Sequence, residues 1–98
     1  MAGGPTWLHP EAIAEARAAR QWYESRSAAA AAAFMAELDV AIERIEETPT
    51  TWPRYLEATR RYLFRRFPFF VVYRESGDGV QIVAVAHASR RPGYWIGR

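Results

Sequence analysis

The sequence predicts an α+β fold of order β-α-α-β-β-β, with a helical hairpin packed on one face of a small, mainly antiparallel sheet. Three observations carry that expectation. Apolar residues recur at three- and four-residue spacing as far as Thr48 and lose that period afterwards. Pro49 then stops the helical pattern, and the composition shifts to β-branched and aromatic residues. Near the end, Ser76-Gly77-Asp78-Gly79 separates two apolar runs with the chemistry of a hairpin turn.

Thr6-Trp7-Leu8 reads as a short edge strand, closed by His9-Pro10. A first helix follows over Pro10–Glu24: proline suits the first turn, Glu11 meets the positive end of the helix dipole, and Ala12, Ile13, Ala16, Ala19 and Tyr23 share a stripe. His9 is expected at the strand-to-helix junction. Ser25-Arg26-Ser27 breaks the helix, and Ser27 can cap a second one over 28–48, which opens with six alanines. Phe34, Leu38, Ala41, Ile42 and Ile45 form its apolar stripe against Glu37, Glu43, Arg44 and Glu47. The alanines are read as a device for close helix-to-helix approach. A loop over 50–59 leads to strands at 61–67, 69–75 and 80–87, and residues 88–98 form a tail. Pro68 has no N–H to give a ladder, so it belongs at a strand end or bulge. In this arrangement the sheet face away from the helices stays partly open.

Length and composition restrict the function. The 98 residues are expected to form one domain, 1–98. With four Trp, five Tyr and five Phe the chain is too aromatic to remain disordered. It has no cysteine and two histidines, so neither a thiolate metal site nor a three-histidine site can form, and no metal or cofactor is expected. The longest apolar stretch is far shorter than the roughly 20 residues of a membrane span, and the first five residues lack the basic start of a signal peptide. A soluble, cytoplasmic protein is the expectation. No glycine-rich phosphate loop, Ser-His-Asp set or carboxylate pair stands out, which disfavours ordinary hydrolases, kinases and dehydrogenases.

Charge is divided unevenly. Residues 1–50 carry four Arg against eight acids, a net of −4, whereas residues 51–98 carry nine Arg against three acids, a net of +6. All thirteen basic residues are arginine, so no lysine is present to give up a proton. In the basic half Arg61, Arg65, Arg66 and Arg74 alternate with aromatic rings, and Arg90 and Arg91 follow the last strand. Guanidinium groups among rings can grip phosphates and bases, can grip another protein, or can cover a sheet edge with no ligand at all. His87 closes the last strand three residues before Arg90 and seven before Tyr94. It could act as a base towards a ribose 2′-hydroxyl, with Arg90 and Arg65 stabilising charge and Tyr94 supplying a proton, or it could merely fix the turn into the tail. Trp95 is expected to pin that tail to the body.

Taken in order, His9-Pro10-Glu11-Ala12, Phe34 and Ile42, Pro49, Phe67-Pro68-Phe69 with Tyr73, and Val85-Ala86-His87 with Arg90 and Arg91 resemble the RelE/ParE toxin superfamily over nearly the whole chain. The Phe-Pro-aromatic junction and the His-x-x-Arg ending are most similar to its ParE-type plasmid stabilisation group. The resemblance implies the toxin of a type II toxin–antitoxin pair, neutralised by a cognate antitoxin, as a homodimer or as a heterotetramer with it. Two activities occur among such toxins. ParE-like members inhibit growth by binding DNA gyrase without catalysis, which is the expected function here. RelE-like members are ribosome-dependent mRNA endoribonucleases and would use His87, Tyr94, Arg65 and Arg90. RelE enzymes resemble one another in a lysine and arginine cluster, and this chain has no lysine. A second nuclease pattern of Glu, Arg, His and Tyr would fall on Glu57, Arg65, His87 and Tyr94. In either case Arg61, Arg65, Arg66, Arg74, Arg90 and Arg91 are the expected contacts to the target.

Overall fold

A computed structural model describes residues 4–98; the expectations about the first three residues lie outside the described residues. The elements are β1 (Thr6–Leu8), α1 (Pro10–Glu24), α2 (Ala28–Glu47), β2 (Arg60–Leu63), β3 (Phe69–Ser76) and β4 (Gly79–His87). They make a four-stranded mixed sheet in the order β1-β4-β3-β2, in which β1 runs parallel to β4 and the other pairs are antiparallel. Among the described residues, no helix is long and apolar enough to cross a membrane.

Both helices begin on side-chain caps. His9 Nδ1 accepts the N–H of Glu11 at 3.0 Å, and Ser27 Oγ accepts that of Ala30 at 3.2 Å. Ala12 and Ala19 of α1 and Ala31 of α2 are buried, whereas Ala28, Ala29 and Ala32 of the alanine run are exposed. Ile13, assigned to the same stripe, is exposed instead. Phe34 is completely buried and is the hub of the helix–sheet core, with ring centroids of Tyr23, Phe64, Phe67 and Phe69 at 5.1–5.6 Å. Each such ring pair is worth about 0.5–1.5 kcal/mol beyond the area it buries.

The strand expected over 61–67 ends at Leu63. Its continuation is taken by Glu37 of α2, whose carboxylate accepts the backbone N–H of Arg65 and of Arg66. Those amides are therefore unavailable to a ladder, and the chain turns at Phe67-Pro68 before β3.

On the helix side the sheet presents Val71, Tyr73, Val80, Ile82 and Val85; on the other side it presents Phe70, Val72, Val83, Ala84 and Ala86. The change of parity between Ile82 and Ala84 is a β-bulge: Val72 pairs with Ala84 and Tyr73 with Ile82, so Val83 is the extra residue. At the hairpin, Gly77 adopts φ 60°, and the bare Cα of Gly79 lets the Pro5 carbonyl reach the Val80 N–H at 3.0 Å.

The second face is not left open. Trp95, only 1% exposed, lies on it with Tyr55 and Tyr94 at its margin. The loop before β2 folds back through an Arg54–Arg60 bridge and a tight turn in which the Thr59 N–H reaches the Leu56 carbonyl at 3.1 Å. Glu57 and Ala58 occupy that turn at φ 52° and 58°, a left-handed conformation that costs a residue with a Cβ roughly 1–2 kcal/mol.

Candidate functional site

β1 is short, and this decides what lies beside the outer edge of β4. Pairing stops at Leu8–Ile82, and the His9 N–H closes it on the Ile82 carbonyl at 2.9 Å. Beyond that point the edge groups of Val83 and Val85 have no strand to meet. Side chains replace it. Glu15 of α1 accepts the Val85 N–H at 3.0 Å, and Arg98 of the tail donates to the Val83 carbonyl at 3.2 Å. The two side chains then join: Arg98 Nη1 and Nη2 reach the two Glu15 carboxylate oxygens at 3.0 and 2.9 Å, a bidentate pair with both partners about 15% exposed. Tyr94 donates its hydroxyl to the same carboxylate at 2.7 Å.

This network fixes the chemistry of Tyr94. Burial is the largest cause pushing its hydroxyl far above the ordinary tyrosine value, and the hydrogen bond and charge of Glu15 push the same way. The Arg90 guanidinium covers its ring at 3.9 Å. His87 is likewise engaged: its Nδ1 accepts the Ser89 N–H at 3.0 Å, and its ring stands edge-on to Phe69 at 4.9 Å. The Arg90 N–H returns to the His87 carbonyl at 3.0 Å, so the residue anchors the turn into the tail.

His87 and Arg90 do share a recess of about 420 Å³ between α1 and the end of β4, with Trp22, Phe69 and Glu15 on its walls. Arg65 does not enter it. That residue, with Arg66, lines a separate depression against Glu37, Val40 and Arg44 of α2. Glu57 sits at the tip of the turn before β2 and also lies outside the His87 recess.

The remaining arginines divide into half-buried and exposed. Arg61 lies over the rings of Tyr55 and Phe70 at 4.3 and 5.2 Å. Arg74 donates to the Arg98 carbonyl at 3.1 Å, and its buried Nε has no partner among the described residues. Both therefore stabilise the second face. Arg65, Arg66, Arg90 and Arg91 are exposed, and Arg66 faces a carboxylate, Glu37 at 3.7 Å, while the Arg90 guanidinium lies on the Tyr94 ring. Glu15 and Arg98 were not anticipated from the sequence. The signal was present, since a carboxylate between Ala12, Ala16 and Ala19 on the buried side of α1 requires a cation or donors opposite it.

A helical hairpin on a β1-β4-β3-β2 sheet, with exposed arginines on the connections around the end of β4, defines a small α+β protein with a cationic surface. The family model described as "ParE toxin of type II toxin-antitoxin system, parDE" matches residues 8–92, and the chain belongs to that family. Among solved structures, the chain is similar to a "Chromosomal ParDE TA system from P. aeruginosa": TM-score 0.74, 17% identity, covering 86% of this chain and 95% of that one. That likeness shows the shared fold. No curated protein sequence matches the chain. The expected family and the β-α-α-β-β-β order are thus both found.

Proposed function

We propose that this type II toxin inhibits growth by binding DNA gyrase in the cytoplasm, that it catalyses no reaction itself, and that a cognate antitoxin neutralises it. The observation that carries the reading is the state of the two residues a nuclease would need. The Tyr94 proton is held by Glu15 and made harder to release, which is the wrong direction for a general acid working near neutral pH. The Nδ1 of His87 is committed to Ser89, and Arg65 lines another depression. With no lysine in the chain, the cationic set of a RelE-like enzyme is reduced beside His87 to Arg90, whose guanidinium lies on the Tyr94 ring. Family membership supports the toxin class, and the likeness to a ParDE toxin–antitoxin system supports an antitoxin partner.

The test is a supercoiling assay with purified gyrase and relaxed plasmid, run beside a translation reaction in which mRNA integrity is followed. Inhibited supercoiling with intact mRNA is the expected result. If the wild type cuts mRNA and His87→Ala does not, the recess shared by His87 and Arg90 is an active site and the binding-only reading fails.

A further inference from the structure

The topology collects exposed arginines from three separate connections at one end of the molecule. α1 and β4 run alongside each other, so the α1–α2 turn lies beside the end of β4, where Trp22, Tyr23 and His87 line one recess; the Tyr23 ring is also 4.9 Å from Phe67 of the β2–β3 connection. The β2–β3 connection reaches the same place, because Phe69 pairs with His87 and the Ala88 N–H meets the Pro68 carbonyl at 2.7 Å. Arg20 and Arg26 thus come from the helical turn, Arg65 and Arg66 from the β2–β3 connection, and Arg90 and Arg91 from the turn after β4. All six are exposed. The acids facing them are Glu24, paired with Arg20 at 3.8 Å, and Glu37, paired with Arg66 at 3.7 Å. Six guanidinium groups against two carboxylates leave a net of +4, and the first six residues of α2, all alanine, add no charge.

At the opposite end the sign reverses. α2 closes with Glu43, Glu46 and Glu47, and the β3–β4 hairpin carries Glu75 and Asp78. A molecule polarised in this way is turned by a polyanion before contact.

We propose that this arginine-bearing end docks on the phosphate backbone of duplex DNA. The inference deepens the reading of gyrase as target, since it assigns the DNA that gyrase holds, and not the enzyme's protein surface alone, as what these arginines grip. Charge complementarity selects a polyanion. The condition of the rings selects a duplex. Single-strand binders offer free aromatic faces on which bases stack. Here Tyr23, Phe67 and Phe69 pack on Phe34, His87 stands against Phe69, and the exposed Trp22 has Arg26 over its ring at 3.6 Å with Tyr23 edge-on to it. Exposed cations from three connections, without stacking platforms, suit contacts to phosphates that carry no base information.

The experiment is fluorescence anisotropy of a labelled 20-base-pair duplex, about two helical turns at about 10 base pairs per turn, titrated with the full chain between about 50 and 200 mM NaCl. About four neutralised phosphates give a slope of log K against log salt near −3.6, a roughly 150-fold loss of affinity over that range. Arg90→Gln with Arg91→Gln removes about two contacts, and the same change of salt then costs roughly 12-fold. Arg54→Gln, exposed beside the start of β2 at the other end of the sheet, leaves slope and affinity as in the wild type. The proposal is overturned by an absent or salt-insensitive duplex interaction, by an equal loss in the Arg54 variant, or by tighter binding of a single strand or of polyglutamate than of the duplex. Circular dichroism of each variant reports that it is folded. Gyrase inhibition is scored separately, so a wild type that grips duplex DNA yet spares gyrase refutes the target and not the surface.

Discussion

Replacing Glu15 by alanine removes the acceptor of four hydrogen bonds at once: one from Val85, one from Tyr94 and two from Arg98. Hydrogen bonds to a charged group contribute about 1.5–3 kcal/mol each when taken singly, but bonds sharing one carboxylate do not add. A better guide is the loss of one member of a buried ion pair, about 3–5 kcal/mol, because the partner keeps its desolvation cost. With side-chain exposures of 15% and 16% for Glu15 and Arg98, some solvent reaches the pair, and the lower end of that range applies. We expect Glu15→Ala to cost about 3 kcal/mol, a large share of the about 5–15 kcal/mol that holds a typical domain. In a chain of this size that lowers Tm by roughly 12 °C or more. Urea unfolding followed by circular dichroism and tryptophan fluorescence gives the value. Glu24→Ala is the comparison: its pair with Arg20 is about half exposed, and such i,i+4 pairs give about 0.3–0.5 kcal/mol. A Glu15 variant losing less than about 1 kcal/mol, or no more than the Glu24 variant, would show that the network is ornamental.

Two other outcomes follow from the geometry. The Tyr73 hydroxyl is pushed up to about 12, first by burial and then by the charge of Glu75, with Arg60 opposing, and Tyr94 is raised further still. Below pH 10 both are protonated folded and unfolded, and their contribution is complete. Between about pH 10 and 12 only the unfolded chain loses these protons, so stability falls by about 2.7 kcal/mol per pH unit for the pair; a flat urea midpoint across that window would contradict the assigned burial. Ala58→Gly relieves a positive φ and should raise stability by about 0.5–1 kcal/mol after the entropy of the added glycine; an unchanged or lower midpoint would mean that the turn is not strained.

Local signals in the sequence sufficed for the elements and their order. Proline at the first turn, Ser27 as cap and the alanine run gave α1 its observed bounds and α2 to within one residue, and the glycine-flanked turn located the last hairpin. What local pattern could not supply were contacts between distant segments. β2 stops at Leu63 because a carboxylate from α2, 28 residues earlier, claims the Arg65 amide. The parallel pairing of β1 with β4 and the bulge at Val83 depend on how the sheet closes, not on the period of either strand.

The candidate site was legible in part for the same reason. Arg65, Arg66, Arg90 and Arg91 were expected on the surface and are found there, whereas Arg61 and Arg74 are absorbed by rings and tail. Arg26 was unremarkable in sequence, and only the fold brings it to the others.

The bond between Glu15 and Arg98 joins residues 83 positions apart. It ties the first helix to the tail and turns nearly the whole polypeptide into one loop, at an entropic cost that grows with the logarithm of that separation. A fastening of this kind forms after the local hairpins have settled and opens before they do. Hydrogen exchange at the Val85 amide should therefore report an early, partial opening in which Trp95 lifts from the sheet while Phe34 stays enclosed, and that result would give the protein two thresholds of unfolding, one at each face of its sheet.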